Sequence, residues 1–462
     1  MALKITVDLV SLRAALAGGA ASVDLVLEGD TVVAVAGPPE EPPPVPSPIE
    51  ALPAEVLLGW YAPGGVSTTA GGCSAWTDRS SHGAHLLQAS AGRRPAVGQH
   101  ALGQGLAVRG DGTGAYLASL QTMTGAVTCF LVASHQAPPI PRGGAAEAPP
   151  AFAMAGAASP DLDGWQACAC LGGIAHPSGA LLVGQQATSQ WLIAPGLGLG
   201  GTCRRDGELT ADVGPQRRRH VYEITRDTPA VPGHLRLLAY PPAAGSSTEG
   251  QLWSRSSIFE VVVLGAATEE QRAAVRADLI ARHTTAPLVV CDGDSLVAGN
   301  GVLTTEAWPS LLWERYGACV DVVNLGIPGR TAQQIRAAGL APYAALARQA
   351  SRRVLVLAAG INDLRAGRTP EDVYQDLLEH ATAVEAAGWA VVLCTLAPSP
   401  DTETTHPGAI DALNDLILTW WNGHRADLQP VTSLLPDGLH YDAAGQADAA
   451  ARIGTVVDDA LS

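Results

Sequence analysis

Val-Val-Cys-Asp-Gly-Asp-Ser-Leu, residues 289–296, is an apolar run that stops at a small, acidic turn carrying a serine. Gly, Asp and Ser are favoured in any strand-to-helix turn, so this run alone predicts only a turn. Three further polar clusters follow later apolar runs, at 324–331, 360–363 and 437–440. Taken together, the four clusters indicate a serine presented at a strand end among other polar groups, which is typical of a hydrolase site.

The sequence from about residue 286 alternates between strand-like and helix-like periods. Strands are predicted at 288–291, 319–325, 354–358, 390–395 and 428–434. Helices are predicted near 304–316, 331–349, 370–387, 407–423 and 443–461. This alternation predicts a doubly wound, parallel five-stranded sheet covered on both faces. Right-handed crossovers place the carboxyl ends of all strands on one edge, where open α/β sheets bind ligands.

The rest of the chain predicts a multidomain protein with three earlier segments. Residues 1–37 form a small N-terminal β element, and 38–50 form a Pro-rich linker whose proline run is a stiff spacer. Residues 51–285 contain many short β-like runs broken by Gly, Pro and Ser, which predicts an all-β sandwich. A helical segment with Thr268 as its N-cap closes the sandwich, and the α/β domain occupies 286–462.

Composition and charge narrow the classes of partner. The formal net charge of -16 disfavours nucleic acid, because such a surface repels phosphates. We expect a soluble protein without a membrane span or a conventional signal peptide. The eight cysteines show no zinc spacing and no His, Asp and Glu cluster has the spacing of metal ligands, so we predict no metal. No glycine loop resembles a nucleotide-binding loop, so we predict no cofactor. A disulfide among Cys168, Cys170 and Cys203 remains an open alternative.

Residues 51–285 resemble concanavalin A-like, laminin-G-like jelly rolls. The resemblance rests on Gly-Trp-Tyr at 59–61, on 75–83, on Val-Arg-Gly-Asp-Gly at 108–112, and on 258–264 with its helix. Sugar binding is common in that fold but not universal, so carbohydrate binding and a structural spacer are equal alternatives. The Arg-Gly-Asp at 109–111 is interpreted as a strand-ending turn.

The four polar clusters resemble the sequence blocks of GDSL esterases, the SGNH hydrolase superfamily. They are Gly-Asp-Ser-Leu at 293–296, Asn-Leu-Gly-Ile-Pro-Gly-Arg-Thr at 324–331, Gly-Ile-Asn-Asp at 360–363 and Asp-Gly-Leu-His at 437–440. Order and spacing both agree with the family. The resemblance covers about 287–462 and implies a flavodoxin-like sheet and a serine-esterase reaction.

The residue types in these blocks suit a catalytic triad. Ser295 is the predicted nucleophile, His440 can take its proton and return it to the leaving alcohol, and Asp437 can fix the imidazole tautomer. His406 and His424 are alternative bases, which the Asp-x-x-His spacing disfavours. The alternative orienting carboxylates, interpreted as turn-holding groups, are Asp292, Asp294 and Asp363.

Three donors are predicted to stabilise a developing oxyanion: the backbone N–H of Ser295, the backbone N–H of Gly329 and the side-chain amide of Asn362. Gly326 is the alternative to Gly329, which the family register favours. Tyr441 stands where many relatives have proline, a departure that concerns loop geometry and not a reacting group.

These features predict a serine carboxylester hydrolase that acts through an acyl-enzyme. An O-acetylated glycan is the leading substrate because a lectin-like fold precedes the esterase. The alternatives are a lysophospholipase, a thioesterase or an arylesterase, or a non-catalytic glycan-binding or particle-attachment protein that retains the fold as a scaffold.

Overall fold

The computed structural model describes two compact units, 1–51 and 52–462. Side chains and backbone are described for residues 47–69, 72–99, 106–110, 115–119, 127–134, 202–209, 218–225, 256–317, 319–347 and 350–462, with small exceptions in loops. Only strand backbone is described for 6–7, 23–28, 31–36, 166–172, 181–185 and 191–193, and mainly backbone for 234–237. The predicted proline spacer at 38–44 lies outside the described residues.

The first unit contains a three-stranded sheet made of β1 (Thr6–Val7), β2 (Val23–Glu28) and β3 (Thr31–Ala36). Strand β3 lies in the centre, parallel to β1 and antiparallel to β2. The predicted small β element therefore consists of a hairpin with one added short strand.

The second unit begins with two antiparallel eight-stranded sheets. The first sheet has the order β14-β13-β12-β18-β10-β7-β6-β5, and the second has the order β16-β15-β17-β11-β19-β9-β8 with β4 also paired to β19. The strands are β4 (Leu57–Tyr61), β5 (Val66–Thr69), β6 (Gly72–Trp76), β7 (Leu86–Leu87), β8 (Ala96–Gln99), β9 (Leu106–Arg109), β10 (Leu117–Ser119), β11 (Thr128–Ser134), β12 (Gln166–Gly172), β13 (Leu181–Gln185), β14 (Trp191–Ile193), β15 (Thr202–Arg205), β16 (Glu208–Leu209), β17 (His220–Thr225), β18 (His234–Leu237) and β19 (Ser257–Leu264). Short 3-10 helices lie at Pro63–Gly65 and Ala91–Arg93.

The two sheets meet through large aromatic side chains. The ring of Tyr61 on β4 lies edge-on to the ring of Trp76 on β6, with 6.3 Å between the ring centroids, and both side chains are buried. The all-β character of this region agrees with the sequence pattern, whereas the resemblance to concanavalin A-like folds stays a prediction. Cys203 is buried with a free thiol, and Cys168 and Cys170 lie where side chains are not described.

Helix α1 (Glu269–His283) follows β19 and packs on the second sheet. Thr268 accepts a hydrogen bond from Gln271 N, and the Gln271 side chain bonds back to Thr268 N, so the predicted N-cap forms a complete capping box. Arg276 on the helix pairs with Glu223 of β17 at 2.5 Å. The helix therefore begins at its own sequence signal and is held to the sheet by charge.

The remaining residues form a five-stranded parallel sheet with the order β21-β20-β22-β23-β24. Its strands are β20 (Leu288–Gly293), β21 (Asp321–Asn324), β22 (Arg353–Ala358), β23 (Ala390–Cys394) and β24 (His424–Ala426). The helices are α2 (Ser295–Ala298), α3 (Trp308–Arg315), α4 (Ala332–Ala338), α5 (Ala341–Ala347), α6 (Ile361–Arg365), α7 (Pro370–Ala386), α8 (Pro400–Thr405), α9 (Ala409–Trp420) and α10 (Ala443–Leu461). Residues of β20 are all buried, as expected for a central parallel strand.

The fifth strand differs from the prediction. It is the short edge strand His424–Ala426 and not 428–434, which contains Pro430 and runs as irregular backbone. Proline has no backbone N–H to donate to a neighbouring strand, which disfavours a strand at 428–434. The observed strand contains the polar residues His424 and Arg425 and therefore does not form an apolar run in the sequence. The segment 428–434 instead leads into the loop that carries Asp437 and His440.

The sandwich and the parallel sheet are in direct contact. Arg219 donates from Nη2 to the carbonyl of Cys319 at 3.0 Å, and its backbone N–H donates to Asp321 at 3.0 Å. The guanidinium of Arg109, which ends β9, lies over the ring of Trp313 at 4.9 Å from its centroid. None of the helices in the described part of the chain has the length and apolarity that a bilayer crossing requires.

Candidate active site

The serine turn is shaped by a close approach of backbones. A Cβ on Gly293 would lie 2.0 Å from the carbonyl oxygen of Ala358 on the neighbouring strand, so only glycine fits there. Asp294 caps the next helix by accepting from Leu296 N at 2.9 Å. Ser295 then occupies the first position of α2, where backbone N–H groups have no acceptor within the helix. Its side chain is largely buried at the end of the central strand.

The structure brings Ser295, His440 and Asp437 together. Nε2 of His440 lies 2.9 Å from Oγ of Ser295, and Nδ1 of His440 lies 2.7 Å from Oδ2 of Asp437. Since a carboxylate is an acceptor, the proton of the neutral ring lies on Nδ1, which leaves Nε2 free to accept from the serine hydroxyl. The three residues form one continuous chain of hydrogen bonds.

The carboxylate of this chain is held by its own loop. Oδ1 of Asp437 accepts from the backbone N–H groups of Leu439 and His440, both at 3.0 Å. Burial raises the pKa of Asp437, but the hydrogen bonds from the His440 ring and from these two N–H groups outweigh it and hold the pKa below its ordinary value. Asp437 is therefore ionised at neutral pH.

Tyr441 anchors the loop in the core. It is 2 % exposed and pairs with Leu434 in an isolated antiparallel bridge, while the carbonyl of His440 accepts from Leu435 N at 2.7 Å. The residue that departs from the family pattern therefore supplies packing that fixes the backbone on both sides of His440.

The predicted oxyanion donors follow three adjacent strands, β21, β20 and β22. Gly329 has φ of +77°, is exposed, and has open space where a Cβ would stand. The amide nitrogen of Asn362 donates to the carbonyl of Arg330 at 3.1 Å, which uses one of its two hydrogens. The second hydrogen remains for a ligand.

Gly326 has a different task from Gly329. Its N–H donates to Oδ1 of Asn324 at 2.9 Å, and a Cβ there would lie 2.4 Å from Ala298 N. Glycine is required at this position because the loop packs against α2. The Gly326 amide is already engaged by Asn324, which leaves it no hydrogen for an oxyanion.

The rival residues lie in other contacts. His406 approaches the carbonyl of Arg365 at 3.3 Å and His424 approaches Asp459 at 3.8 Å. Asp363 accepts from Ala332 N at 2.7 Å and from Arg368 at 2.6 Å. These contacts support the interpretation of Asp363 as a residue that holds turns together.

Asp294 lies directly beside the nucleophile and is fully buried. Burial, together with the nearby Asp363, raises the pKa of Asp294 to about 7, although the hydrogen bond from Leu296 N opposes the shift. Its role as helix cap does not require the charge, since a neutral carboxyl also accepts a hydrogen bond.

A group of hydrogen-bonded residues next to the serine turn was not predicted from the sequence. Asp292 accepts from Arg330 Nη1 at 2.8 Å and from the hydroxyl of Tyr343 at 2.6 Å, and that hydroxyl lies 2.8 Å from Nε2 of His380. Arg330 lies within the cluster at 324–331, so its position was a signal that could have been used. Tyr343 and His380 lie on predicted helices, where nothing in the sequence marks them.

In the part of the chain that the structure describes, no three His, Cys, Asp or Glu side chains are placed to hold a metal ion.

A serine hydroxyl bonded to an imidazole, itself bonded to a carboxylate, beside backbone and amide donors is the arrangement that serine hydrolases use. Residues 291–448 match the model of the GDSL-like Lipase/Acylhydrolase family. The C-terminal part of the chain is therefore a GDSL/SGNH hydrolase domain. This family match supports the assignment of the domain to the serine esterases.

Curated relatives agree with this assignment. The chain is 36% identical over 106 residues to thioesterase 1/protease 1/lysophospholipase L1 of Escherichia coli, which covers 23% of this chain and 49% of that protein. It is 31% identical over 126 residues to esterase TesA of Pseudomonas aeruginosa, which covers 27% of this chain and 61% of that one. The chain thus spans about half the length of the curated relatives it matches.

A solved structure, a member of the lipolytic protein G-D-S-L family from Veillonella parvula, covers 37% of this chain and 99% of its own, with 18% identity and a TM-score of 0.35.

Proposed function

We propose that this protein is a serine carboxylester hydrolase with Ser295, His440 and Asp437 as its catalytic triad. The observation that carries the proposal is the unbroken hydrogen-bond chain from the Ser295 hydroxyl through His440 to Asp437. Membership of the C-terminal domain in the GDSL-like family supports the same chemistry.

The reaction follows from the geometry in two halves. His440 takes the proton of Ser295 as the oxygen attacks the ester carbonyl, and the imidazolium is stabilised by ionised Asp437. The oxyanion accepts hydrogen bonds from Ser295 N, Gly329 N and the Asn362 amide. His440 then gives its proton to the leaving alcohol, which leaves an acyl-serine. Water attacks this acyl-enzyme with His440 again as base, and the carboxylic acid and the free serine are released.

The substrate in this proposal is an O-acetylated glycan, in which the acyl half is acetyl and the alcohol half is a hydroxyl group of the glycan. The rim of the site is open, since the side chain of Asp437 is 48% exposed and Ile327, in the loop that carries Gly329, is 54% exposed. Such a rim admits a bulky alcohol. The attached β-sandwich is compatible with presentation of a polysaccharide, as its resemblance to lectin-like folds suggests.

A second candidate is a thioesterase or lysophospholipase. It is favoured by the 36% identity to the E. coli protein, whose name includes both activities. The two candidates share the triad and differ only in the acyl and leaving groups.

The triad is tested with a fluorophosphonate probe and a short p-nitrophenyl ester. Ser295→Ala and His440→Ala should each lower kcat by about 10⁴-fold or more, and Ser295→Ala should abolish labelling. His406→Ala is the matched control and should behave as wild type. Turnover that survives loss of Ser295 would rule out the triad, and a wild-type protein that neither labels nor turns over would favour the attachment protein.

The substrate is tested by comparing kcat/KM for acetyl release from an acetylated polysaccharide with kcat/KM for an acyl-CoA and for lysophosphatidylcholine. The highest value with the polysaccharide supports the glycan esterase. The highest value with either of the other two supports the second candidate instead.

A further inference from the structure

A buried hydrogen-bonded network lies outside the triad and has no part in the proposed mechanism; it consists of Arg330, Asp292, Tyr343 and His380. Asp292 is fully buried and the side chain of Arg330 is 11% exposed, so their 2.8 Å ion pair is shielded from solvent. Asp292 also accepts from Gly293 N at 2.8 Å, which ties this pair to the serine turn.

The contacts in this network fix which group donates and which group accepts in each hydrogen bond. The Tyr343 hydroxyl donates to Oδ2 of Asp292, so its oxygen can only accept from His380. His380 therefore carries its proton on Nε2 and is neutral, in agreement with a pKa that burial and the charge of Arg330 lower to about 4. Burial raises the pKa of Asp292, whereas the Tyr343 hydroxyl, the charge of Arg330 and the Gly293 N–H oppose this shift, and both carboxylate oxygens accept hydrogen bonds.

At its Arg330 end, the network contacts the predicted oxyanion donors. The carbonyl of Arg330 accepts from the amide of Asn362 at 3.1 Å, and Gly329 immediately precedes Arg330. An amide with one hydrogen fixed on a carbonyl has its second hydrogen fixed in direction as well, because the two hydrogens lie in one plane with the nitrogen. Whatever holds the Arg330 backbone therefore aims Asn362.

We propose that Arg330 and Asp292 are positioning residues that act through Asn362: the buried ion pair holds the Arg330 carbonyl where it aims the Asn362 amide at the substrate oxyanion. This inference rests on the proposed function for its effect on rate, although the geometric part stands independently of turnover. Catalytic donors must be placed within a few tenths of an ångström to act fully, so a loss of the ion pair lowers kcat more than it changes KM.

The kinetic test uses Arg330→Met, which keeps an unbranched apolar stem and removes the guanidinium group with its charge. Its kcat should fall by about 10- to 100-fold with KM within about threefold, against roughly 10²- to 10³-fold for Asn362→Ala. In the Asn362→Ala background, Arg330→Met should lower kcat by less than about threefold, because the residue through which it acts is gone. Asp292→Asn removes the charge of the ion pair and replaces one of the two acceptor oxygens with an NH2 donor, so its kcat should fall to a similar extent as that of Arg330→Met.

Arg336→Met is the matched control. Arg336 lies on the next helix and is half-exposed. It pairs with Asp376 and Glu379, which are not part of the buried network. It should retain the wild-type kcat. A wild-type kcat for Arg330→Met, or losses that multiply fully with those of Asn362→Ala, would overturn the proposal.

A second measurement does not depend on turnover. The protein has five asparagines, so selective ¹⁵N labelling of asparagine gives few side-chain amide signals, and Asn362→Ala assigns the relevant pair. Arg330→Met should shift these two resonances and Arg336→Met should leave them unchanged. Resonances that do not respond to Arg330→Met would refute the positioning role even in an active enzyme. A shift in a protein without esterase activity would refute only the proposed function.

Discussion

At the scale of single residues, the site shows how burial sets the charge of a carboxyl group. Asp294 immediately precedes Ser295 in the sequence, and Asp437 bonds to His440. Asp437 has three donors around it and a lowered pKa, whereas Asp294 has a single backbone N–H, is fully buried, and has a pKa raised to about 7. In the sequence, Asp437 is the favoured orienting carboxylate and Asp294 is interpreted as a turn-holding group, and the two carboxyls have different donors in the structure.

Asp294→Asn tests this difference. Because the folded pKa lies above the unfolded value of 3.8, Asp294 favours folding below about pH 4, and this contribution is lost as pH rises to about 7. Asparagine keeps the helix cap without titrating. The variant should therefore gain stability relative to wild type by a few kcal/mol, in order of magnitude, between about pH 4 and pH 8. Urea unfolding of both proteins at the two pH values measures it, and a constant difference would contradict the assignment.

At the scale of elements, helix α1 joins the sandwich to the hydrolase domain and is anchored at Glu260 of β19. That buried carboxylate accepts from Trp60 Nε1 at 2.7 Å, from Arg282 at 2.6 Å and from His283 Nε2 at 2.7 Å. Burial alone would raise the pKa of Glu260, but the hydrogen bonds of His283 and Arg282 lower it to about 2. The charge on Glu260 is therefore part of the helix anchor.

Glu260→Gln should act in the opposite sense to Asp294→Asn. A folded pKa below the unfolded 4.5 means that the contribution of Glu260 is full above about pH 4.5 and is lost as pH falls towards 2. The variant should be clearly less stable than wild type at about pH 7, and the gap should narrow on acidification. Thermal unfolding as a function of pH measures the gap. A gap that stays the same down to about pH 3 would show that Glu260 is not held ionised.

At the scale of the whole molecule, the sandwich and the parallel sheet behave as one compact unit because their backbones touch. A Cβ on Gly98, in β8, would lie 2.0 Å from the carbonyl oxygen of Gly317, just after α3, and the Gly98 carbonyl accepts from Cys319 Sγ at 3.6 Å. Such a contact leaves no space for even one methyl group.

Gly98→Ala should separate the two parts energetically. The added methyl forces the sandwich edge away from the Gly317 turn, so the unfolding temperature should fall and a single calorimetric transition should broaden or split in two. Gly92→Ala is the matched control, since a Cβ at Gly92 meets nothing within 4 Å. Equal melting profiles for the two variants would argue that the domains are joined elsewhere.

Much of the fold followed from local pattern. Apolar runs ending in polar turns located β20, β22 and β23 closely, because a parallel strand buried on both faces is apolar at every position. The capping box at Thr268 marked the start of α1 for an equally local reason. The edge strand His424–Ala426 was missed because an edge strand is half exposed and need not be apolar.

The sequence alone predicts which polar residues follow which strands, because alternating periods imply parallel strands whose right-handed crossovers place all carboxyl ends on one edge. The folded arrangement alone shows that Asp292 accepts from Arg330 and Tyr343, and that the Arg330 carbonyl accepts from the Asn362 amide. These partners lie far apart in the sequence, and hydrogen bonds between such residues leave no periodic trace along it.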